Sequence, residues 1–367
     1  MSFAMRPKGR AWFTTAPLIV SVSLLAILPS ATQGASEKHL SLDAESLCLV
    51  DLIGEVRVEA GSGPAFEVSV RIGGNDARED LIRIETEEGK EARVVCRFPT
   101  EREHEYVYPR LGRTSNEILS LAGLRGEGHG FWDWIRGDDQ IKVRGSGPGT
   151  EVWADVTIRV PAGRSVEVHL GVGSVAAEGV EGRLSLETQS GPVTAIGIKG
   201  DLVADTGSGS IEAMRVEGSV HVDTGSGPVE VKDITGPEVI VDTGSGAVEA
   251  DRIDCRRLDI DTGSGGVRAG EIRADEVHID TGSGFVDLAL ARMGSGRFVV
   301  DTGSGSIDLS LPGDASAQVV ADTGSGSIQV DLGSVQIRGE ETVSFRLGSG
   351  AAELVLDTGS GPISIHK

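Results

Sequence analysis

The sequence predicts an all-β protein in which short strands stack in parallel as a β-solenoid. The string Asp-Thr-Gly-Ser-Gly occurs eight times in the second half of the chain, and apolar residues recur at fixed positions around every copy. A unit of about 19 residues cannot bury an apolar face alone, so successive units must stack to bury it. The predicted organisation is a signal peptide at 1–35, a strand-rich region at 36–165 and a β-solenoid of about ten coils at 166–367.

The composition restricts the classes of function. The chain has 367 residues, with 34 Lys and Arg against 56 Asp and Glu, which gives a net charge of -22. This charge argues against nucleic acid as a partner, because phosphate contacts need Lys and Arg. Hydrophobic residues make up 39% of the chain, too many for a disordered acidic protein. The 52 glycines have no strict three-residue period, so the chain is not collagen-like.

The first 35 residues have the order of a signal peptide. Arg6, Lys8 and Arg10 precede an apolar stretch at 16–28, and small residues follow up to Ala35. The apolar stretch is shorter than the ~20 residues that a membrane helix needs, although an uncleaved anchor is the alternative. The protein is therefore predicted to be exported to the periplasm, the cell surface or the medium. No membrane span is expected after the signal peptide is removed.

Region 36–165 alternates apolar and polar residues in several runs, including 56–58 and 156–160, and this period of two predicts strands. The alternation fails between 101 and 149, which predicts a long insertion with a short helix near 116–124. The insertion contains Phe131, Trp132 and Trp134. One interpretation is an exposed recognition tip, and the other is a plug that caps the open end of the solenoid.

Three cysteines remain: Cys48, Cys96 and Cys255. Export permits disulfides, and the first two lie in strand-like runs, so a Cys48–Cys96 disulfide is predicted. Cys255 has no obvious mate. Three cysteines without a CxxC motif or a nearby histidine pair do not predict a zinc site.

Each repeat has a fixed apolar frame. With the Asp counted as zero, apolar residues occupy positions -3, -1, +6 and +8, as in Val220, Val222, Val229 and Val231. Strand alternation predicts that the Thr and Ser of the motif face inward and that the Asp faces outward. The inward–outward alternation of side chains must shift by one residue between positions +3 and +6. We expect this shift at the second Gly because glycine tolerates positive φ. An antiparallel sandwich or barrel is the alternative fold.

The motif Asp-Thr-Gly-Ser-Gly-x-Val follows a strand-rich segment that ends in Val-Thr-Ile-Arg-Val-Pro-Ala-Gly at 156–163. Together they resemble a family of bacterial β-strand-repeat domains described as candidate adhesins of otherwise unknown function. The resemblance covers roughly 45–367 and implies an exported solenoid. It supplies no ligand. The insertion at 101–149 departs from the pattern, so the resemblance implies no function for it.

The outward aspartates form a candidate metal site. Stacked carboxylates about 5 Å apart repel by roughly 0.8 kcal/mol per neighbour in water, so we expect something to offset the repulsion. One hypothesis is that each Asp accepts hydrogen bonds from the Gly and Ser N–H groups of its own turn. The other is that the row binds Ca²⁺ or another cation, although the motif lacks the Gly-Gly-x-Gly-x-Asp nonapeptide of calcium-loaded β-rolls. The candidate ligands are Asp205, Asp223, Asp242, Asp261, Asp280, Asp301 and Asp322.

No catalytic residue is predicted. Asp-Thr-Gly-Ser is also a signature of pepsin-like aspartic proteases, which pair two aspartates to share a proton, but the copies here recur too closely for protease lobes. The seven histidines show no metal-ligand spacing, and no nucleophile has a base nearby. Polysaccharide lyase chemistry would need acids with a basic residue that break the repeat, and none is found. No cofactor is expected other than Ca²⁺.

The sequence therefore predicts an exported, non-enzymatic repeat protein with a structural, binding or adhesin-like role at the cell envelope. Its partner would be an envelope or surface ligand, either a polysaccharide or a protein. The alternative is a Ca²⁺-dependent binding module that uses the stacked Asp row. An enzyme is the third hypothesis.

Overall fold

The computed structural model describes residues 36–78, 80–112, 115–120, 140–333, 335–339 and 341–367. These residues belong to one compact unit. They form twenty-eight β-strands and a single-turn 3-10 helix at Pro109–Leu111. Within this described part, no helix has the length and apolar character that a membrane crossing requires. The predicted signal peptide at 1–35 lies outside the described residues.

Nine strands precede residue 161. They are β1 (Ser36–Leu42), β2 (Ser46–Ala60), β3 (Phe66–Gly73), β4 (Arg83–Glu87), β5 (Glu91–Arg97), β6 (Glu105–Val107), β7 (Asn116–Ser120), β8 (Gln140–Arg144) and β9 (Trp153–Val160).

The repeats supply the remaining strands. The first ten are β10 (Ser165–Glu178), β11 (Leu184–Ser190), β12 (Val193–Lys199), β13 (Leu202–Thr206), β14 (Ile211–Glu217), β15 (Val220–Thr224), β16 (Val229–Thr243), β17 (Val248–Thr262), β18 (Val267–Ala274) and β19 (Glu276–Thr281). The last nine are β20 (Val286–Met293), β21 (Arg297–Thr302), β22 (Ile307–Ser310), β23 (Ala317–Thr323), β24 (Ile328–Asp331), β25 (Gln336–Gly339), β26 (Thr342–Leu347), β27 (Ala352–Thr358) and β28 (Ile363–His366).

Equivalent strands of successive repeats pair in parallel. Asp223 of β15 pairs with Asp242 of β16, and Asp242 pairs in turn with Asp261 of β17. The strands that follow each turn pair in the same way, as Val229 does with Val248. This parallel register corrects the alternative of an antiparallel sandwich, in which neighbouring strands would run in opposite directions.

Strands of the predicted N-terminal region join the same stack. β2 pairs in parallel with β10 from Ser46 opposite Ser165 to Glu59 opposite Glu178. On the other side of β2 lie the parallel strands β5 and β9. The antiparallel strands β1, β3 and β4 then border this end. The two predicted regions therefore share one continuous sheet.

Within the predicted insertion at 101–149, the described strands β6, β7 and β8 form a separate three-stranded sheet. The helix predicted near 116–124 is wrong over Asn116–Ser120, because these residues pair with β8 as an antiparallel strand. Phe131, Trp132 and Trp134 lie outside the described residues.

The order of units departs from chain order near residue 300. β27 pairs in parallel with β21 on one side and with β23 on the other, so Asp357 lies between Asp301 and Asp322. Two antiparallel strands, β26 and β25, then pair with β23 and β24. The chain thus places a later unit between two earlier ones and covers the outer unit with antiparallel strands.

The apolar frame of the repeats forms the core. The residues at -3, -1, +6 and +8 are buried around all eight copies of the motif, including Val277, Ile279, Val286 and Leu288. The motif Thr is buried as predicted, with Thr243 0% exposed. The prediction for the motif Ser is wrong, because Ser245 is exposed and Gly246 is buried instead. The shift in the inward–outward alternation therefore lies between Thr243 and Gly246, one to two residues earlier than expected.

The second Gly of the motif is required by a close approach between units and not by positive φ. Gly246 does not have a positive φ, which corrects the sequence-based expectation. A Cβ atom there would lie 1.8 Å from the carbonyl oxygen of Gly227 in the preceding unit. The equivalent distance from Gly265 to the Gly246 oxygen is 1.7 Å. Only glycine fits between stacked backbones at this spacing.

All three cysteines are free and buried. Cys96 packs in the main core, whereas Cys48 packs with Val50 and Val95 in a small separate cluster. Side chains alternate across a strand, so Val95 and Cys96 point to opposite faces of β5. The predicted Cys48–Cys96 disulfide is therefore wrong, because the two thiols lie on opposite faces of the sheet.

Candidate binding face: the acidic row

The outward aspartates of the repeats lie in one continuous register along the stack. We call this line of carboxylates the acidic row. Each member pairs directly with the next, at the strand spacing of about 4.8 Å. In spatial order the row consists of Glu187, Asp205, Asp223, Asp242, Asp261, Asp280, Asp301, Asp357 and Asp322. All seven predicted candidates belong to it, and the structure adds Glu187 and Asp357.

The turn that follows each Asp is held by the threonine and not by the aspartate. The Thr243 hydroxyl accepts a hydrogen bond from the Gly246 N–H at 3.0 Å and donates to the Gly227 carbonyl oxygen at 3.3 Å. The same pair of bonds recurs at Thr262, with Gly265 and Gly246 as partners. The expectation that each Asp accepts bonds from its own turn is therefore wrong, since the threonine hydroxyl occupies that role.

Three carboxylates of the acidic row have raised pKa values. Partial desolvation and the negative charges of Asp223 and Glu187 raise the pKa of Asp205 to about 6. The pKa values of Asp242 and Asp301 are also raised, first by desolvation and then by the flanking aspartates. At Asp301 the nearby His278 offsets part of the rise in pKa. The row therefore favours protons or other cations more strongly than isolated surface carboxylates do.

A second column of charged residues, on the strands that follow the turn, is internally compensated. Arg215, Asp233, Arg252 and Glu271 occupy equivalent positions in successive units, and each has φ between 51° and 56°. Their charges alternate in sign. Arg252 donates two hydrogen bonds to Asp233, at 2.6 and 2.9 Å. The stack can therefore alternate opposite charges along a column, whereas the acidic row repeats negative charge from each unit to the next.

His169 terminates the acidic row at its N-terminal end. It pairs in register with Glu187, and its Nδ1 lies 2.7 Å from Glu187 Oε2. Its Nε2 lies 2.7 Å from Glu167 Oε1. Burial lowers the pKa of His169, but hydrogen bonds with Cys48, Glu167 and Glu187 outweigh this effect and raise it to about 11. An imidazolium therefore faces the first carboxylate of the row.

Sequence reasoning missed the His169 cluster. The only local signal was Glu187, which lies in a degenerate copy of the motif one unit before Asp205. Cys48 and His169 are more than a hundred residues apart, and they meet because β2 pairs with β10. No spacing rule within a single segment could have joined them.

A surface groove of about 480 Å³ lies near the N-terminal end of the stack. Leu52, Phe98, Arg83 and Arg97 contribute to its lining. Arg97 Nε bonds to Glu85 Oε1 at 2.8 Å, so this arginine's charge is balanced within the groove.

The sequence profile described as Toastrack DUF4097 matches residues 154–366, more than half of the chain. No curated protein matches the sequence. Among solved structures, a candidate lipid-binding protein from Parabacteroides distasonis is similar with 13% identity and a TM-score of 0.41, over 91% of this chain and 98% of that one. A candidate adhesin from Bacteroides fragilis has 10% identity and a TM-score of 0.30, over 91% and 98%. A candidate cell adhesion protein from Clostridium sporogenes has 11% identity and a TM-score of 0.22, over 90% and 99%.

Proposed function

The chain belongs to the Toastrack DUF4097 family, and from this premise we propose that it is an exported, non-enzymatic protein with a structural, binding or adhesin-like role at the cell envelope. In this proposal, residues 1–35 direct export to the periplasm, the cell surface or the medium. The repeats then form a β-solenoid of about ten coils that displays the binding surface.

The acidic row is the observation that carries the proposal. It repeats one carboxylate at each strand spacing along one face of the stack. A partner with regularly spaced cationic groups can contact several carboxylates at once, and such multivalent contacts raise the total affinity without any strong single contact. A cell-envelope polysaccharide or protein with amino groups has this chemistry.

The turn geometry supports a structural role for the Asp-Thr-Gly string. The hydroxyl of Thr243 is buried, and it both accepts and donates a hydrogen bond within the stack. An aspartic protease needs two such aspartates facing one another across a cleft to share a proton. Here Asp223 and Asp242 lie side by side on parallel strands and face solvent. This arrangement favours a binding surface over catalysis.

The proposal is tested by capture of partners from the cell envelope of the source organism. We expect the wild-type protein to retain an envelope polymer that the triple variant Asp223→Asn, Asp242→Asn, Asp261→Asn does not retain. The control is Asp254→Asn, Asp287→Asn, Asp308→Asn, which makes the same change in charge on the strands that follow the turn. Equal retention by both variants would contradict a role for the row.

A Ca²⁺-dependent binding module is the second candidate function. It is favoured by the raised pKa values of Asp205, Asp242 and Asp301, to which repulsion from the flanking carboxylates contributes after desolvation. A bound cation would relieve this repulsion. Isothermal titration should then detect Ca²⁺ binding, and a chelator should lower the melting temperature. A melting temperature indifferent to chelator, together with no heat of binding, would eliminate this candidate.

A further inference from the structure

Three different metal-ligating side chains meet beside the first carboxylate of the acidic row. The thiol of Cys48, a carboxylate oxygen of Glu167 and a ring nitrogen of His169 all lie within 4.8 Å of one another. From this geometry we propose that the three side chains form a Zn²⁺ site that Glu187 orients. The proposal does not depend on the function proposed for the acidic row.

The pairing of β2 with β10 holds the ligands together. Glu167 is directly opposite Cys48 in the parallel register, and His169 follows two residues later on the same face of β10. Because alternate residues of a strand share a face, all three side chains project to the outer side of the sheet. Two central strands of the stack thus fix the backbone positions of every proposed ligand.

Two of the three proposed ligands are buried, and the third, Glu167, is exposed. Cys48 is 7% exposed and His169 is 8% exposed, so both are buried among neighbouring side chains. A groove of about 150 Å³, lined in part by Cys48, Glu167, Arg183 and Ser185, opens beside them. This groove gives an ion and its water ligand a route to the thiol.

Each residue has a distinct role in the proposed site. His169 Nε2, the Glu167 carboxylate and Cys48 Sγ are the ligands, and water completes a four-coordinate ion. His169 Nδ1 keeps its 2.7 Å hydrogen bond to Glu187 Oε2. A carboxylate that accepts the second N–H of a ligating histidine fixes the ring and raises its basicity, so Glu187 is a positioning residue.

The ion takes the place of a proton. In the structure, His169 Nε2 and Glu167 Oε1 are 2.7 Å apart and share a hydrogen bond. Zn²⁺ binding displaces that proton and the proton of the Cys48 thiol to solvent, and the Nδ1 proton stays in place. Before binding, the site holds an imidazolium of charge +1 and a neutral thiol. After binding, it holds a +2 ion, a neutral imidazole and a thiolate, and the two protons have left to solvent.

The donor set selects zinc over calcium and magnesium. Ca²⁺ and Mg²⁺ take oxygen ligands and gain nothing from a thiolate or an imidazole. Zn²⁺ binds thiolate sulfur, imidazole nitrogen and carboxylate oxygen in one tetrahedral site. The acidic row offers only oxygen, so the two sites differ in the ions they prefer.

Metal titration of the purified, chelator-treated protein tests the proposal. We expect one Zn²⁺ per chain, and we expect Co²⁺ at the same site to give a thiolate-to-cobalt charge-transfer band. Cys48→Ser should abolish that band, and His169→Gln should weaken Zn²⁺ binding by more than the ~100-fold expected for loss of an orienting partner. Glu187→Gln should weaken it by about 10- to 100-fold and leave the cobalt band in place.

Matched controls separate this site from other ligands on the chain. Cys255→Ser removes another buried thiol, and His278→Gln removes an exposed histidine that contacts Asp259 at 3.0 Å. Both should bind Zn²⁺ as the wild type does, as should the triple Asp→Asn variant of the acidic row. Glu167→Gln changes an exposed side chain, so it should weaken Zn²⁺ binding and leave the circular dichroism spectrum unchanged. This variant tests the site even if Cys48→Ser does not fold. No Zn²⁺ binding by the wild type, or binding unchanged in the Glu167, His169 and Glu187 variants, would overturn the proposal.

Discussion

A Cβ atom on Gly246 would lie 1.8 Å from the carbonyl oxygen of Gly227, its counterpart in the preceding unit. The contact partner is backbone, so no side-chain movement can relieve it. The same relationship links Gly227 to Gly209, at 1.7 Å, and Gly284 to Gly265, at 1.8 Å. Each motif glycine therefore sets how closely its unit approaches the one before it.

Gly246→Ala should destabilise the protein strongly. The added methyl group must push two stacked units apart, and we expect the free energy of unfolding to fall by at least ~3 kcal/mol, the upper range for overpacking. Gly313→Ala is the control, because a Cβ there meets nothing within 4 Å and its φ is not positive. Urea unfolding followed by circular dichroism measures both. Equal stability of the two variants would contradict the close-approach argument.

Thr243→Val should remove the hydroxyl that holds the turn. The Gly246 N–H would lose its acceptor inside the stack, which costs about 1–3 kcal/mol for a buried donor. Thr235→Val lies on the same strand, with an exposed side chain, and should change stability by about 0.5 kcal/mol or less. Thermal unfolding of both variants compares them. A loss of similar size in the control would indicate a general effect of valine and not of the hydroxyl.

Asp205→Asn should change the pH dependence of stability. The pKa of Asp205 rises from an ordinary value of 3.8 to about 6 in the folded protein, through desolvation and the charges of Asp223 and Glu187. Between these pH values the folded state binds more protons than the unfolded state, so the free energy of unfolding falls as pH rises from about 4 to about 6. Asparagine does not titrate, and the variant should lose this part of the decrease.

At pH 7 the Asp205→Asn variant should be more stable than the wild type by ~1 kcal/mol or less, because solvent screens the exposed carboxylates. Asp314→Asn makes the same charge change at an exposed loop position outside the row. Chemical denaturation at a series of pH values measures both. A wild-type pH profile retained in Asp205→Asn would contradict the coupling of Asp205 to its neighbours.

The three thiols should all react after denaturation without reductant. Cys48 of β2 and Cys96 of β5 point to opposite faces of the same sheet, so a disulfide between them would require a strand to move. Mass spectrometry of alkylated protein should show three adducts per chain, and reductant should leave the melting temperature unchanged. One adduct with two unmodified cysteines would indicate an intramolecular disulfide instead.

The repeat period predicted most of the fold. The apolar positions around each Asp predicted which residues, such as Val277 and Ile279, are buried. The inward prediction for Ser245 failed because it extended strand alternation through a turn, where the backbone no longer alternates. The position of the unit that contains Asp357 could not be predicted either. All units share one apolar frame, so the frame does not specify which unit lies beside which.

The acidic row and the His169 cluster also differ in how far the sequence predicts them. The acidic row was predictable because its members recur in one motif, and Asp242 faces outward as the alternation requires. The His169 cluster was not predictable because its chemistry comes from three separate strands. Only the register between β2 and β10 places Cys48 beside Glu167, and no residue pattern in either strand specifies that register.

The placement of β27 between β21 and β23 has a consequence for how the molecule assembles. The segment that carries Asp322 emerges in the chain before the segment that carries Asp357, yet its neighbour in the finished sheet is that later segment. Folding at this end therefore cannot proceed by adding one repeat after another in chain order. Strand β27 can take its place between β21 and β23 only after a long loop has closed. Contacts so distant along the chain slow folding.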